Sequence, residues 1–234
     1  MIRLPVKGGG VYDLAPSKIV CLGLNYRSHV EESPGILSDK AAPEEPSEPI
    51  LFAKTPNVLV GDGEAIVLPA IVGSYGFPAP RVDHEAELAV VIGKRMKDVA
   101  PEDALSFVLG YTCFNDVSQR DIQNLDRSGW FRGKSFDTFG PVGPVLVPAA
   151  LIPDPQALRV ACRVNGRVTQ DGPSSAMIFT VAEALSFISR NLTLEPGDLV
   201  ATGTPAGVGP IVPGDVVEVE ITGIGVLRNN VKSW

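Results

Sequence analysis

Three acidic residues in two apolar segments have the spacing expected of a cation site. Glu85 and Glu87 are two residues apart at the start of the run Ala86–Ile92, so strand alternation places both side chains on one face. The rest of that run is apolar on both faces, which is typical of a strand buried on both sides. The next apolar run, Val108–Phe114, is followed by Asp116 and can bring a third carboxylate to a neighbouring strand end. Buried carboxylates repel one another, and a divalent cation would offset that repulsion.

The chemistry of this trio indicates which ion it would take. Three oxygen donors, with no local cysteine or paired histidine, suit Mg²⁺ or Mn²⁺ better than zinc or copper. The alternative is an ordinary solvated strand face, which is the commoner situation for a lone Glu-x-Glu pair. The two-sided apolar run after Glu87 favours the metal site over that alternative.

A histidine and a glutamate near the N-terminus could form an acid-base pair. On a helical turn, His29 and Glu32 would be three residues apart on one face. A carboxylate in that position can orient an imidazole and raise its basicity, giving a base able to deprotonate water near neutral pH. The alternative is a surface pair at the edge of a charged loop.

Two further segments could handle negative charge on a substrate. Lys134 lies among aromatic and small residues, where a partly buried ammonium could balance an anionic substrate or a developing enolate; the alternative is a surface lysine. The segment Ala201–Gly209 is a glycine loop that leaves a strand. It could direct backbone N–H groups and the Thr204 hydroxyl at a carboxylate or carbonyl oxygen. It lacks the Lys-Ser or Lys-Thr pair of a phosphate-binding P-loop.

The elements that must position these residues are mostly strands. With 24 glycines and 21 prolines in 234 residues, the chain favours short strands joined by turns over a helical bundle. The pair Asn165-Gly166 predicts a tight hairpin. Stretches rich in valine, isoleucine and threonine, bounded by turn residues, predict the strands Ile19–Leu22, Ala65–Leu68, Ala86–Ile92, Val108–Phe114, Val145–Val147, Arg159–Val164, Leu199–Thr202 and Val216–Ile221.

Two helices and one polar segment interrupt this pattern. The stretch Thr180–Asn191 predicts a helix whose capping box joins its first residue to Glu183, and a second helix follows Pro101. The segment Glu31–Pro49 is rich in glutamate and proline and poor in apolar residues. We therefore expect a surface loop or lid at about residues 29–49.

Bulk properties restrict the partners and the compartment. A net charge of -7 and a pI near 4.9 argue against nucleic acid, which needs clustered basic residues, so a small molecule is the expected partner. No signal-peptide pattern is visible, and no apolar run reaches the ~20 residues that span a bilayer. Cys21, Cys113 and Cys162 are widely spaced in apolar surroundings, so we expect reduced residues in a cytoplasmic protein.

Five segments, each weak alone, are jointly specific when they are taken in order. They are Asn25-Tyr26 with His29 and Glu32, Asp83-His84-Glu85-Ala86-Glu87-Leu88, Asn115-Asp116 through Arg120-Asp121-Ile122-Gln123, Gly133-Lys134-Ser135-Phe136-Asp137-Thr138, and Thr202-Gly203-Thr204-Pro205. From about Lys18 to the C-terminus, the chain resembles the fumarylacetoacetate hydrolase family.

That resemblance implies a fold, a cofactor and a set of roles. It implies a mainly β (α+β) fold, the mixed β-roll, in a single catalytic domain over residues 1–234 with a short N-terminal segment, residues 1–17, and usually a homodimer. It implies Mg²⁺ or Mn²⁺ on Glu85, Glu87 and Asp116, and a catalytic set of His29, Glu32 and Lys134. By position, it also implies substrate contacts from Tyr26, Arg120, Gln123, Gly203 and Thr204.

The chemistry implied is that of small 2-oxo acids. A metal that chelates the substrate carboxylate and 2-oxo oxygen would stabilise an enolate, so we expect C–C hydrolysis of an acylpyruvate or decarboxylation of an oxaloacetate-type acid. One alternative is a tautomerase or isomerase of the 2-hydroxyhepta-2,4-diene-1,7-dioate isomerase type in aromatic catabolism. Another is a non-catalytic binder of metal or 2-oxo acid, against which the intact His29, Glu32 and Lys134 argue. The sequence does not separate reactions that share one electrophilic centre.

Overall fold

The computed structural model describes residues 1–32, 45–127 and 129–234 of the chain. Within these ranges the strands are β1 (Ile2–Pro5), β2 (Val11–Leu14), β3 (Ile19–Gly23), β4 (Ile50–Lys54), β5 (Leu59–Val60), β6 (Ala65–Leu68), β7 (Val82–His84), β8 (Ala86–Ile92), β9 (Val108–Asn115), β10 (Ser118–Gln119), β11 (Gly140–Pro148), β12 (Arg159–Val164), β13 (Arg167–Pro173), β14 (Leu199–Ala201), β15 (Gly209–Pro210), β16 (Val216–Ile221) and β17 (Gly225–Ser233). The helices are α1 (Arg27–Glu32), α2 (Pro101–Ala104), α3 (Arg120–Leu125), α4 (Phe131–Lys134) and α5 (Val181–Asn191). Strands dominate, and the predicted fold class is confirmed.

Strand β8 is at the centre of a seven-stranded sheet whose order is β4-β3-β14-β8-β9-β11-β5. All of its residues are buried, because its two faces belong to different cores. Leu88 and Val90 pack into the larger core, whereas Ala89 and Val91 pack into the smaller one. The prediction of a strand buried on both sides is therefore confirmed. Since β8 and β9 are antiparallel, the start of β8 lies beside the end of β9.

A second sheet, of five strands, packs across β8. Its order is β13-β12-β16-β17-β6, and both β12 and β16 contact β8. The predicted hairpin joins β12 to β13. Asn165 and Gly166 have φ values of 53° and 78°, the positive values that a type I′ turn requires. A small third sheet, β10-β7-β15, holds the segment that leads into β8.

Helix α5 covers the larger core and begins as predicted. The Thr180 hydroxyl accepts the Glu183 N–H at 3.3 Å, and the Glu183 carboxylate accepts the Thr180 N–H at 2.8 Å. Its buried apolar side chains are those of Val181, Ala184, Leu185 and Ile188. The reciprocal cap satisfies N–H groups that a helix start otherwise leaves unpaired.

Strand bounds match the prediction where the apolar pattern is regular. Strands β6, β8, β12 and β16 begin and end as predicted, and β3, β9 and β14 differ by one residue. The prediction of Val145–Val147 was too short, since β11 runs over Gly140–Pro148. Its pairing with β9 shifts register between Gly143 and Val147. Glycine and proline usually mark a strand end, but an irregularity of this kind accommodates them within the strand.

The predicted lid falls largely outside the described residues. Of residues 29–49, the structure describes 29–32, which belong to α1, and 45–49. The second predicted helix does begin at Pro101, as α2. Among the described helices, none has the length and apolar character needed to cross a membrane.

Asp198 joins two segments that are far apart in sequence and lead into the neighbouring strands β3 and β14. Its side chain is fully buried, and Lys18 Nζ lies 2.5 Å from Oδ2. Oδ1 accepts the backbone N–H of Ser17 at 3.0 Å and that of Lys18 at 3.1 Å, and Oδ2 accepts the Glu195 N–H at 2.8 Å. Burial would raise the pKa of Asp198, but these partners outweigh burial and lower it.

We predict that Asp198→Asn lowers the free energy of unfolding by about 2–3 kcal/mol near neutral pH, because the amide loses charge-assisted hydrogen bonds. A carboxyl whose pKa is lower in the folded state stabilises the fold above its unfolded pKa, and this contribution is lost as the pH falls through the folded pKa. The difference in free energy of unfolding between wild type and variant should therefore become smaller at acidic pH. Urea unfolding near pH 7 and at about pH 3 measures it, and a difference independent of pH would contradict the prediction.

Candidate functional site

Three carboxylates converge where β7, β8 and β9 meet. Glu85 lies between β7 and β8, Glu87 is the second residue of β8, and Asp116 follows β9. Each offers one oxygen such that the three oxygens lie within 4.8 Å of one another. The pairing of β8 with β9 produces this arrangement, and the Asp116 N–H donates to the Glu85 carbonyl at 2.9 Å. The structure thus brings the predicted trio together in a buried position.

Two buried lysines neutralise part of this charge. Lys134 Nζ lies 2.9 Å from Glu85 Oε2 and 2.5 Å from Asp116 Oδ2, and Lys54 Nζ lies 2.5 Å from Asp116 Oδ1. The side chains of Lys134 and Lys54 are 3% and 0% exposed, so neither is a surface lysine. Burial would lower the pKa of Lys134, but Asp116 and Glu85 outweigh burial and raise it. For Lys54 burial prevails, and its pKa is lowered.

Lys54 is a site residue that the sequence reasoning missed. It ends β4, where strand alternation puts it on the same face as the buried Phe52. That alternation is a signal that could have identified a buried lysine. A lone lysine at a strand end is more often solvated, so the residue type alone predicts an exposed side chain.

A guanidinium closes another side of the cluster. Arg120 Nε donates to Asp83 Oδ2 at 2.8 Å, and its Nη2 pairs with Glu85 Oε1. Its Nη1 donates to Gln123 Oε1 at 3.0 Å. Helix α3 carries both Arg120 and Gln123 to the site. Arg120 is engaged by two carboxylates here, whereas the family resemblance implies a role in contacting substrate.

The charges around the trio are uneven. Burial would raise the pKa of Glu85, but Arg120 and Lys134 outweigh burial and hold that pKa well below its usual range. Burial, together with the carboxylates of Asp116 and Glu85, raises the pKa of Glu87 well above its ordinary value. Of the three carboxylates, Glu87 is therefore the one whose negative charge is least compensated by nearby cations. Three buried carboxylate oxygens within reach of one another fit a hard divalent cation, which would supply that compensation.

Helix α1 presents the predicted acid-base pair to the same site. His29 is 7% exposed, and its Nδ1 lies 2.8 Å from Glu32 Oε1, which leaves Nε2 for proton transfer. The Gly207 N–H donates to Glu32 Oε2 at 2.8 Å. Burial would raise the pKa of Glu32, but the hydrogen bonds from His29 and Gly207 outweigh burial and lower it. An ionised Glu32 can orient the imidazole and stabilise its protonated form.

The glycine loop after β14 is tied to the strand that carries the carboxylates. The Gly203 N–H donates to Glu87 Oε2 at 2.9 Å, and the Thr204 hydroxyl donates to the Ala86 carbonyl at 2.8 Å. Gly203 has a φ of 91°, and a Cβ there would lie 2.8 Å from Asn25 Cβ, so this close approach requires glycine. The sequence predicts that the N–H groups of this loop and the Thr204 hydroxyl contact substrate oxygens. In the structure the Gly203 N–H and the Thr204 hydroxyl instead contact the segment that contains Glu87. Thr204 also lines the pocket.

One pocket collects the polar groups. Within the described residues, its polar lining consists of His29, Glu85, Glu87, Arg120, Gln123, Lys134 and Thr204. Its larger apolar lining residues are Leu22, Leu24, Phe52 and Trp130. Trp130 packs edge-on against Phe52, with ring centroids 5.5 Å apart, and a Cβ on Gly23 would come within 2.7 Å of the indole. The pocket therefore combines a charged cluster with an aromatic wall.

Four of the predicted site residues are not part of this lining. Glu32, Asp116 and Gly203 each contact a residue that belongs to the lining. Tyr26 is fully buried, and its hydroxyl has no hydrogen-bond partner among the described residues. Burial, with the nearby Glu87 carboxylate, raises the pKa of Tyr26. The structure therefore shows no hydrogen bond for the Tyr26 hydroxyl within the part of the chain that it describes.

Comparison with known proteins identifies the family to which the chain belongs. A family profile described as Fumarylacetoacetate (FAA) hydrolase C-terminal matches residues 18–232. The chain belongs to the fumarylacetoacetate hydrolase family. The resemblance seen in its five motifs is therefore confirmed, and so is the mixed β fold that it implies.

Other members of the fumarylacetoacetate hydrolase family carry different activities. Oxaloacetate tautomerase FAHD2A, mitochondrial, of Bos taurus is 42% identical over 225 residues, which cover 92% of this chain and 67% of that protein. The structure of 2-hydroxyhepta-2,4-diene-1,7-dioate isomerase from Mycobacterium marinum is 42% identical, with a TM-score of 0.80 over 99% of this chain and 77% of that one. Fumarylpyruvate hydrolase from Pseudomonas aeruginosa, in complex with Mn²⁺ and pyruvate, is 30% identical, with a TM-score of 0.86 over 100% and 96%. Membership of such a family supports an enzyme.

We predict that Mn²⁺ binding to the metal-free protein releases protons, with Glu87 as one source. The raised pKa of Glu87 keeps this acid protonated to a higher pH than usual, and a cation ligand must be deprotonated. Affinity for Mn²⁺ should therefore rise with pH over the range in which Glu87 loses its proton. Calorimetric titration in two buffers of different ionisation enthalpy counts the protons.

Glu87→Gln is the matched variant for this measurement, because it keeps the shape of the side chain and removes the titrating group. It should bind Mn²⁺ more weakly and release fewer protons. A wild-type proton count near zero, or an equal count in the variant, would contradict the prediction.

Proposed function

We propose that this chain is a divalent-metal-dependent enzyme that hydrolyses a C–C bond in 2-oxo acids of the acylpyruvate type. The observation that carries the proposal is that the carboxylate trio and the His29–Glu32 pair meet at one pocket. Carboxylate trios serve many kinds of metal site. A carboxylate-oriented histidine beside the trio adds the base that hydrolysis needs.

We assign the ion, Mg²⁺ or Mn²⁺, to Glu85, Glu87 and Asp116. The donor set supports this assignment, since it offers three buried oxygens with charge to offset. When bound, the ion would supply Lewis-acid polarisation of a 2-oxo acid. The Mn²⁺ in the structure of the Pseudomonas aeruginosa fumarylpyruvate hydrolase supports a hard divalent ion.

The chain's own residues account for the movement of protons and charge. His29 takes a proton from water at Nε2, while Glu32 holds Nδ1 and stabilises the imidazolium. The resulting hydroxide attacks the distal carbonyl carbon, and the C–C bond to the pyruvyl portion breaks. The buried Lys134 ammonium balances the negative charge left on that portion. The pyruvyl portion then recovers the proton from His29 and leaves as pyruvate.

Tautomerisation or isomerisation is a second candidate, favoured by two relatives. The Bos taurus and Mycobacterium marinum proteins, each 42% identical to this chain, are named as a tautomerase and an isomerase. In such a reaction His29 would move a proton between carbon and oxygen with no water consumed. Decarboxylation of an oxaloacetate-type acid would use the same charge stabilisation by Lys134 and likewise needs no activated water. The third class, a non-catalytic binder, would leave the His29–Glu32 pair without a role.

Assembly and compartment are also proposals. We expect a cytoplasmic homodimer that binds a small 2-oxo acid and neither nucleic acid nor membrane. The net charge of -7 supports the expectation that the chain does not bind nucleic acid. The three buried free cysteines support the cytoplasm as its compartment. Exposed apolar side chains such as Val212 and Trp234 are surfaces that a second subunit could cover.

We predict pyruvate release from an acylpyruvate in the presence of Mg²⁺ or Mn²⁺. A panel of acylpyruvates, oxaloacetate and hydroxydienoates, scored separately for enol absorbance, pyruvate and CO₂, measures it. Loss of enol absorbance with neither pyruvate nor CO₂ would favour the second candidate instead. A ligand-induced rise in melting temperature without any product would favour the binder.

Glu87→Ala should abolish this turnover together with Mn²⁺ binding, because the trio loses one of its three oxygen ligands. Glu102→Ala is the control, since Glu102 is an exposed glutamate on α2 away from the pocket. It should retain wild-type turnover and Mn²⁺ affinity. Turnover by Glu87→Ala with no bound metal would refute metal dependence.

We also predict that His29→Asn lowers kcat for acylpyruvate hydrolysis by about 10²–10⁴-fold while Mn²⁺ affinity stays unchanged, because the base is lost and the trio is intact. Glu32→Gln should have a smaller effect in the same direction. If the enzyme also decarboxylates oxaloacetate, that reaction should survive both changes, since it needs no activated water. Equal losses in both reactions would contradict the assigned role of His29.

A further inference from the structure

A buried glutamine on the second sheet joins two parts of the site. Gln170 lies in β13 and is 1% exposed, and its sheet carries neither the trio nor the acid-base pair. Its Oε1 accepts the Ala86 N–H at 2.9 Å. Its Nε2 donates to Thr204 Oγ1 and to the Pro205 carbonyl, each at 2.7 Å. One side chain therefore connects β8 with the loop that follows β14.

The hydrogen bonds determine the orientation of this amide. A backbone N–H can only donate and a carbonyl can only accept, so Oε1 must face Ala86 and Nε2 must face Pro205. His84 Nδ1 lies 3.1 Å from Oε1 and must therefore carry the ring hydrogen. Oε1 thus holds the segment that leads into β8 at two points, through His84 and through Ala86.

Gln170, Ala86 and Thr204 form a closed ring of hydrogen bonds. The Ala86 N–H donates to Gln170, Gln170 donates to Thr204, and the Thr204 hydroxyl donates back to the Ala86 carbonyl at 2.8 Å. Ala86 stands between Glu85 and Glu87, two of the proposed metal ligands. The ring fixes this segment relative to the loop, because movement of either one breaks bonds on two sides.

The same strand supports the part of the loop that holds the acid-base pair. Gly207 has a φ of 97°, and a Cβ there would lie 1.9 Å from the Thr169 carbonyl oxygen. The loop is therefore in close contact with β13 next to Gln170. Since the Gly207 N–H donates to Glu32 at 2.8 Å, this support extends to the partner of His29.

We infer that Gln170 is a positioning residue that keeps the carboxylate segment and the His29–Glu32 pair in register. It acts through Ala86 on one side and through the loop from Thr204 to Gly207 on the other. Its effect on turnover rests on the proposed function. Its effect on the loop can be measured with no substrate present.

The test compares Gln170→Glu with variants that change the loop side or leave it intact. Gln170→Glu keeps the shape and the acceptor facing Ala86, but it loses the donor to Thr204 and Pro205. Thr204→Val removes the same link from the loop side, and Thr204→Ser keeps the hydroxyl. Asp171→Asn is the matched exchange of carboxylate and amide, at an exposed position of the same strand.

We expect Gln170→Glu to lower kcat on the best acylpyruvate at least about tenfold, with KM and the affinity for Mn²⁺ alone changed by less than about threefold. Hydrogen exchange in the metal-free protein should rise in residues 203–209 and 29–32. Thr204→Val should raise exchange in the same peptides, and Thr204→Ser should restore protection. Asp171→Asn should match wild type in turnover and in exchange.

Two results would overturn the inference. One is wild-type exchange of residues 203–209 in Gln170→Glu. The other is a loss of Mn²⁺ affinity in parallel with kcat, which would place the effect of Gln170 on the carboxylates themselves. If wild type turns over no 2-oxo acid, the proposed function fails, and the exchange measurements alone decide whether Gln170 positions the loop.

Discussion

The burial of three carboxyl groups where β8 begins and β9 ends is the constraint on which the site depends. Taking a carboxylate out of water is costly unless it is paired, and Glu85, Glu87 and Asp116 are all buried. The chain offsets this cost unequally. Lys134 contacts Glu85 and Asp116 but does not reach Glu87 within ion-pair distance in the described contacts. An additional cation is therefore what the protein environment favours at that point, and the metal proposal follows from electrostatics as well as from ligand type.

The fold meets this constraint by placing β8 between two cores. Because both faces of the strand are covered, its first residues are buried, and Glu85 and Glu87 line the pocket. Antiparallel pairing with β9 brings Asp116 alongside, and pairing with β14 delivers the loop that contains Gly203. That loop then reaches Glu32 through Gly207. The geometry of the candidate site thus follows from strand register, and the hydrogen bond from Gly207 to Glu32 joins the loop to α1.

Sequence patterns predicted the parts of the site whose signal is local. The two-sided apolar run after Glu87 and the capping box at Thr180 are both readable from neighbouring residues. Lys54 and Gln170 are different, because their partners lie 62 residues away at Asp116 and 34 residues away at Thr204. A similar case is β17, which the pattern missed because its inward-facing Asn229 looks like a surface residue. Its amide is satisfied by two carbonyls far along the chain. Polar residues whose burial depends on distant partners carry no periodic signal of their own.

The lining of the pocket bears on which 2-oxo acid fits the proposed site. An acylpyruvate and oxaloacetate share the 2-oxo acid portion and differ in the distal group. A distal acyl group can pack on Phe52 and Trp130 and leave water with little cost. A distal carboxylate placed there would lose hydration, and the nearby Arg120 is already engaged by Asp83 and Glu85. Hydrolysis also requires a water beside His29, which lines the same pocket as the aromatic wall. The apolar wall and the acid-base pair therefore both favour hydrolysis of an acylpyruvate over a reaction of oxaloacetate. Neither feature alone would distinguish the two.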